Sequence, residues 1–559
     1  MPVKRPSGPR PWGLALLGLQ GLWGCSRGAQ SPDASELVSV PGDAGAAAVD
    51  APGAVDAGPP DTGPRFTPPR QIIALSGWTP VRREPRRDAR AAGYLRAGAV
   101  VNVIDGPHGR DGCVVHRDHP EGGWYRVEGG YLCEGGASAV PFPNRGFRAP
   151  TQADLDASMP YAYAINYGRT IMYRRLPTNE DLRQFEPWRF NQRTDGGAES
   201  ADTGASAAEP TGSSEQGGEA QASARRPARQ PEVRDAGVIR LSDLAGERRG
   251  PMIRRLLSGM YVALDRTLRN TATGESYWRT QSGGFVRSGR LSALRSWPTF
   301  QGVVLDATRT LPYAWMVSES GMLYSVAPNE RSVSYHRRIG RLEGVQLADR
   351  EPIRLGAQTY YPTPDGHAVN ARSARRAALR TPPAGVGPNE RWFDVDLDEQ
   401  VLVAYEGPRP VYATLISSGR RTSPSAAERF ETPEGTFRVY AKHVTTTMDG
   451  DTATDGPYSI EDVPWVMYFE GSYALHGAFW HNYFGWRMSH GCVNLAPADA
   501  RHVFLWADPQ LPQGWHGIYA GEGAPTPGSR VVLRHSRANA REEGRPTGAA
   551  RAVPLATDQ

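Results

Sequence analysis

Leu475-His476-Gly477-Ala478-Phe479-Trp480-His481-Asn482-Tyr483-Phe484-Gly485-Trp486-Arg487-Met488-Ser489-His490-Gly491-Cys492-Val493-Asn494 holds three histidines, two glycines placed directly after histidines, and one cysteine. Cys492 is the only cysteine in the C-terminal two-thirds of the chain. A thiol attacks an acyl carbon well only as the thiolate, so it needs a base or cation within hydrogen-bond reach. His476 ends the short apolar run Tyr473–Leu475, which reads as a strand and fixes the histidine in place. Gly491 is small enough to let backbone amides approach a developing oxyanion. His490 can donate to the intermediate or handle an incoming amine. Zinc is the competing use of the same residues, with His476, His481, His490 and Cys492 as ligands. A structural zinc site wants paired ligands at short spacing, and Cys492 has no partner thiol nearby, so no metal is expected. A buried cysteine among core histidines does not explain so dense a cluster of polar and glycine residues.

Working outward, Trp392–Leu397 and Val401–Tyr405 flank Asp398-Glu399-Gln400 and predict a hairpin. Val411–Ser417 leads through the turn Gly419-Arg420-Arg421-Thr422 to Thr432-Pro433-Glu434-Gly435-Thr436-Phe437-Arg438-Val439. Val463-Pro464-Trp465-Val466-Met467-Tyr468-Phe469 reads as a buried strand ahead of Tyr473–His476. Helical periodicity follows only after the motif, over Pro497–Trp506, where Ala498, Val503, Leu505 and Trp506 are apolar and Pro497 suits a first turn. The C-terminal part is therefore expected to be mainly β with one or two short helices.

His476-Gly477 followed by Ser489-His490-Gly491-Cys492-Val493-Asn494 resembles the signature of the YkuD-type L,D-transpeptidase catalytic domain. Thr432–Phe437 and Pro464–Phe469 match that family's lead-in strands in order and spacing, so the resemblance covers about residues 392–535. It implies a sandwich-like β domain that acts on peptidoglycan stem peptides without metal or organic cofactor. It implies Cys492 as nucleophile, and His476 as general base oriented by the carbonyl of Gly477. His490 and Gly491 would shape the oxyanion side, with Ser489 and Asn494 in support; many members carry Arg where this chain has Asn494. Tyr458, Tyr468 and Trp480 are candidates for lining the cleft. The implied reaction is acyl transfer from a donor stem to an amine. An L,D-carboxypeptidase or amidase would pass the same thioester to water, and a wall-binding envelope protein would have lost the chemistry.

The rest of the chain reads as delivery. At 559 residues it is too long for one core, and its 63 Gly and 48 Pro cluster in tracts between segments rich enough in Trp and Tyr to build cores. The formal charge of +5 is too mild to argue for nucleic acid. Lys4, Arg5 and Arg10 precede the apolar run Pro11–Trp23, a signal-peptide pattern too short to span a bilayer. Leu22-Trp23-Gly24-Cys25 resembles a lipobox, which implies lipidation at Cys25, and Ser26 resembles the outer-membrane sorting pattern. Residues 26–70, 193–236 and 536–559 have compositions that cannot order themselves.

Residues 71–145 carry short β-like runs, with Cys113 and Cys133 flanking the hairpin sequence Gly123–Leu132; in an exported chain they are expected to pair. That pairing and a lipidated Cys25 would leave Cys492 unpaired. The aromatic hairpin recurs at Tyr277–Val286 and, more weakly, at Tyr360–Val369. These copies resemble bacterial SH3-like modules. The expected organisation is a signal peptide (1–25), a tether (26–70), a disulfide-bearing SH3-like module (71–145), a β-rich segment (146–192) and an insertion (193–236). SH3-like or β-rich modules (237–388), the catalytic domain (389–535) and a tail (536–559) follow. The whole is mainly β and multidomain, small barrels ahead of a sandwich. It is expected in the periplasmic envelope, held to the membrane by lipid.

Overall fold

The computed structural model describes residues 70–115, 117, 119–135, 138–144, 146–190, 239–422, 428–452, 456–521, 523–524 and 526–537. The signal peptide, Cys25, nearly all of the tether, the 193–236 insertion and the tail beyond residue 537 lie outside them. Among the described residues no helix is long and apolar enough to cross a membrane.

The chain is mainly β, built as several sheets. In the first, strands pair antiparallel in the order Ala139–Pro141, Gln71–Ala74, Val100–Asp105, Trp124–Val127, Gly130–Cys133, Thr79–Arg82 and Ala91–Leu95. Their inward faces bury Ile72, Val81, Leu95, Val101, Tyr125 and Leu132 together with Trp515 and Ile518 from the C-terminal part. A disulfide joins Cys113 to Cys133 beside the hairpin. The second sheet runs Met252–Leu256, Thr170–Tyr173, Phe285–Arg287, Ser276–Thr280, Tyr261–Arg269, Ala162–Asn166 and Leu291–Ala293. Its strands come from both sides of residues 191–238, so the segments flanking that tract form one sheet. The three aromatic repeats are all hairpins in the structure, the third pairing Gln358–Pro362 with His367–Asn370.

None of these sheets closes into a barrel among the described residues. In the first sheet the edge strand finds a partner elsewhere. Ala91–Leu95 pairs outward with Gly517–Tyr519, placing Gly93 opposite Ile518. A Cβ on Gly93 would lie 2.2 Å from the Gly517 carbonyl oxygen, so this approach requires glycine. In the second sheet Tyr261, at the start of the interior strand Tyr261–Arg269, bridges to Ile460.

The C-terminal domain is a two-sheet sandwich. Its strands are β1 (Arg391–Asp396), β2 (Val401–Glu406), β3 (Arg409–Leu415), β4 (Gly435–Arg438), β5 (Ala441–Thr452), β6 (Gly456–Glu470), β7 (Tyr473–Gly477), β8 (Val493–Leu495), β9 (Gly517–Tyr519) and β10 (Arg530–Arg534), with one helix, α1 (Pro497–Trp506). One sheet runs from Val303–Val304 through β3, β2, β1 and β10 to β4. The other runs β9, β5, β6, β7, β8. Phe393, Val395, Leu402, Trp465, Met467, Leu475, Val493 and Leu495, with Val503 and Phe504 of α1, form the shared core. Each such side chain contributes about 1.5–3 kcal/mol when fully buried. Pro497 starts α1, where its missing N–H costs nothing. Fully buried Lys442 donates from Nζ to the carbonyls of Ala507 and Pro509 just beyond the helix end.

Candidate active site

The site is set by the register of two short strands. β7 and β8 run parallel, with Leu475 opposite Val493, His476 opposite Asn494 and Gly477 opposite Leu495. Leu475, Val493 and Leu495 point into the sandwich core. By the two-residue period of a strand, the residues between them face the other way. Ala474 and Cys492 accordingly join a second cluster on the outer face, with Val463, Val466 and Phe479. A one-residue slip would drive the polar face of the motif into the core, so the apolar alternation itself aims Cys492 and His476 to the same side.

Ala474 N–H donates to Cys492 Sγ at 3.4 Å, a contact that favours the thiolate. His476 Nδ1–H donates to the Gly477 carbonyl at 3.2 Å, which leaves Nε2 as the basic nitrogen. Burial pushes the imidazole down to about 4, against the opposing pull of that carbonyl, so His476 is neutral near pH 7 and able to take a proton. Trp480 lies over it, ring centres 5.8 Å apart and planes 30° from parallel.

The described residues contain no free cysteine. Cys113 and Cys133 pair, and Cys492 is also in the disulfide form. The expectation that Cys492 stands outside every pairing is therefore not met; it depends on lipidation of Cys25, which lies outside the described residues. Only the reduced form of Cys492 could act as a nucleophile.

The turn before Cys492 is built by Ser489 and Gly491. Ser489 Oγ accepts the Gly491 N–H at 3.1 Å and donates to the Cys492 carbonyl at 2.5 Å. Gly491 has φ +129°, and a Cβ there would lie 2.5 Å from the Tyr473 ring, so no other residue fits. Its N–H is engaged by Ser489 and so is not free to meet a substrate oxygen. On the far side the run Ser417–Arg420 grips the motif. Ser417 and Asn494 exchange backbone hydrogen bonds at 2.9 Å each, and Arg420 N–H donates to the Ser489 carbonyl at 3.0 Å. Thr432 accepts the Gly419 N–H at 2.8 Å and donates to the Gly491 carbonyl at 2.7 Å.

Arg420 and Thr432 are site residues that their sequence context did not mark. Arg420 Nη2 donates to His490 Nε2 at 2.8 Å, and its guanidinium lies 4.3 Å from the centre of the Phe430 ring. His490 therefore carries its proton on Nδ1. Phe430 and Tyr458 pack on the His490 ring at 4.5 and 5.8 Å. Tyr458 and Trp480 thus reach the two histidines, whereas Tyr468 stands one strand away, opposite Ala474. Asn494 contacts His481 Nε2 at 2.9 Å while His481 Nδ1 accepts the Tyr483 N–H at 3.2 Å. The Asn494 atom in that contact is the amide nitrogen Nδ2. His481 is tied to this structural contact, and burial, then the charge of His476, push it down to about 3.

Residues 390–533 match the family model of the YkuD L,D-transpeptidase catalytic domain. This L,D-transpeptidase match covers about a quarter of the chain and contains every motif residue described above. Among solved structures, the chain is similar to an Enterococcus faecium L,D-transpeptidase variant at 23% identity, covering 26% of this chain and 50% of that one with a TM-score of 0.20. It is similar to an L,D-transpeptidase from Xylanimonas cellulosilytica at 29% identity, covering 28% and 63%, TM-score 0.20. A Mycobacterium smegmatis L,D-transpeptidase aligns at 18% identity over 34% and 81%, TM-score 0.20. The chain thus spans about half to two-thirds of the first of these relatives. No curated protein matches it.

Proposed function

We propose that the chain is an exported peptidoglycan L,D-transpeptidase in which reduced Cys492 is the nucleophile and His476 the general base. The observation that carries this reading is the placement of Cys492 and His476 on one face of adjacent strands, with Nδ1 of the imidazole tied to Gly477, inside the L,D-transpeptidase match. His476 Nε2 takes the thiol proton, and the thiolate attacks the carbonyl carbon of the third residue of a donor stem tetrapeptide. The Cys492 turn and the His490 side shelter the oxyanion. As the bond to the terminal D-residue breaks, its amine leaves with the proton from His476, and a thioester remains on Cys492. An amine on a second stem, a protein or a free D-amino acid then attacks, His476 again takes the proton, and the thiolate departs. Water as acceptor would make the same site an L,D-carboxypeptidase.

Lipidation at Cys25, sorting to the outer membrane, and SH3-like modules that contact the wall complete the proposal. Export is supported by the Cys113–Cys133 disulfide, which suits an oxidising compartment. The site is tested by incubating the reduced full-length protein with a carbapenem, an acyl donor to such a thiol. The intact mass should rise by one carbapenem located on Cys492, and Cys492→Ser should not be modified. A wild-type protein that stays unmodified would refute the assignment.

A further inference from the structure

Strand β6 is irregular over Glu461-Asp462-Val463-Pro464-Trp465. Asp462 and Trp465 have φ of +53° and +60°, a region that non-glycine residues occupy only when their surroundings hold them there. Most of what holds them comes from outside the catalytic domain. Arg96 of the first sheet donates from Nη1 to Asp462 Oδ1 at 2.6 Å, alongside Thr445 Oγ1 at 2.7 Å. Tyr163 of the second sheet donates its hydroxyl to the Asp462 carbonyl at 2.6 Å. Trp465 Nε1 donates to the Ser158 carbonyl at 2.7 Å, and Ser282 Oγ donates to Glu461 at 2.8 Å. Asp462 itself is 2% exposed, so these partners act in a water-poor setting where each hydrogen bond is strong.

The same run touches the catalytic base. A Cβ on Gly477 would lie 3.1 Å from Pro464 Cγ and 3.3 Å from the Pro464 carbonyl oxygen. Gly477 is therefore packed directly on Pro464, and its carbonyl is the acceptor that orients His476. We propose that Arg96 and Tyr163 are positioning residues for His476, holding the strained run of β6 against Gly477 so that the imidazole keeps its tautomer and direction. The N-terminal sheets then form part of the machinery that aims the base, and a catalytic domain without them would lose that aim. This inference rests on the transpeptidase reading of the site.

The test uses the full-length protein with a disaccharide-tetrapeptide as both donor and acceptor. Tyr163→Phe removes one hydroxyl and nothing else, Arg96→Met removes the charge, and Arg96→Lys keeps it. With folding checked by thermal melting, Tyr163→Phe and Arg96→Met should lower kcat for dimer formation by about tenfold or more, the loss expected for a base slightly misaimed. KM should stay within about twofold, because substrate binding is not touched. Arg96→Lys should recover part of the lost kcat. Folded variants with wild-type kcat would overturn the proposal, as would a loss confined to KM, or Arg96→Lys no better than Arg96→Met. If Arg96→Met fails to fold, Tyr163→Phe decides. A wild-type protein that forms no dimer overturns the transpeptidase reading and this one with it, whereas an active wild type with unchanged variants overturns this one alone.

Discussion

Thr432→Val removes a single oxygen at the back of the catalytic turn and keeps the side-chain shape. In the folded protein that oxygen accepts the Gly419 N–H at 2.8 Å and donates to the Gly491 carbonyl at 2.7 Å. Thr432 is 4% exposed, so water cannot replace either bond without local opening. Each of the two buried backbone groups left without its partner costs about 1–3 kcal/mol, which puts the substitution at about 2–6 kcal/mol. Urea unfolding followed by tryptophan fluorescence should show that loss as a lower midpoint at unchanged slope. The effect should also be chemical, because Gly491 is freed to shift beside Cys492. Carbapenem acylation should slow by about tenfold or more in protein that is still folded. A stability change below about 0.5 kcal/mol, the range of an ordinary surface substitution, with acylation unaltered would refute the claim that Thr432 holds this turn.

Arg420→Met should leave the fold intact but free the His490 ring from its 2.8 Å donor, lowering the rate of dimer formation; an unchanged rate would show that the Arg420 contact is incidental. Acid should destabilise the protein through histidines at least partly enclosed by the fold. Burial pushes His443, His476 and His481 down to about 4, 4 and 3, while in the unfolded chain each takes up a proton near 6.5. The unfolded state thus binds more protons as pH falls below about 6.5, and each histidine removes up to about 2 kcal/mol of stability by pH 5. Glu461 and Asp499 work in the opposite sense. Burial raises them to about 7 and 6, so the folded state holds protons that the unfolded state releases, offsetting part of the loss. The melting temperature should be lower at pH 5 than at pH 7; a rise would contradict the neutral assignment of these histidines.

The C-terminal sandwich was readable in the sequence because its determinants are local. The apolar alternation of Leu475, Val493 and Leu495 sets the strand faces, the Ser489–Gly491 turn needs its glycine, and Pro497 starts α1. The aromatic hairpins were readable for the same reason, since each is a short antiparallel pair around a tight turn. Whether those hairpins close into barrels was not, because closure depends on which edge strand wins a distant partner. Gly93 meets Ile518 across more than four hundred residues of chain, and no local pattern marks that pairing. Arg420 and Thr432 escaped notice on the same ground. Each looks like an ordinary turn or strand-entry residue until the fold brings it against Ser489, His490 and Gly491. Arg96, Ser158 and Tyr163 belong to segments that read as delivery modules, yet the structure sets them against β6.

In the proposed reaction the Cys492 thiolate forms a thioester with a donor stem and passes it to an amine. Incubating the reduced full-length protein with disaccharide-tetrapeptide, and separating the products by mass, tests it most directly. The product should be a cross-linked dimer lacking one terminal D-residue, and none with Cys492→Ser. Tripeptide monomer as the sole product, or dimer formed equally well by Cys492→Ser, would contradict it.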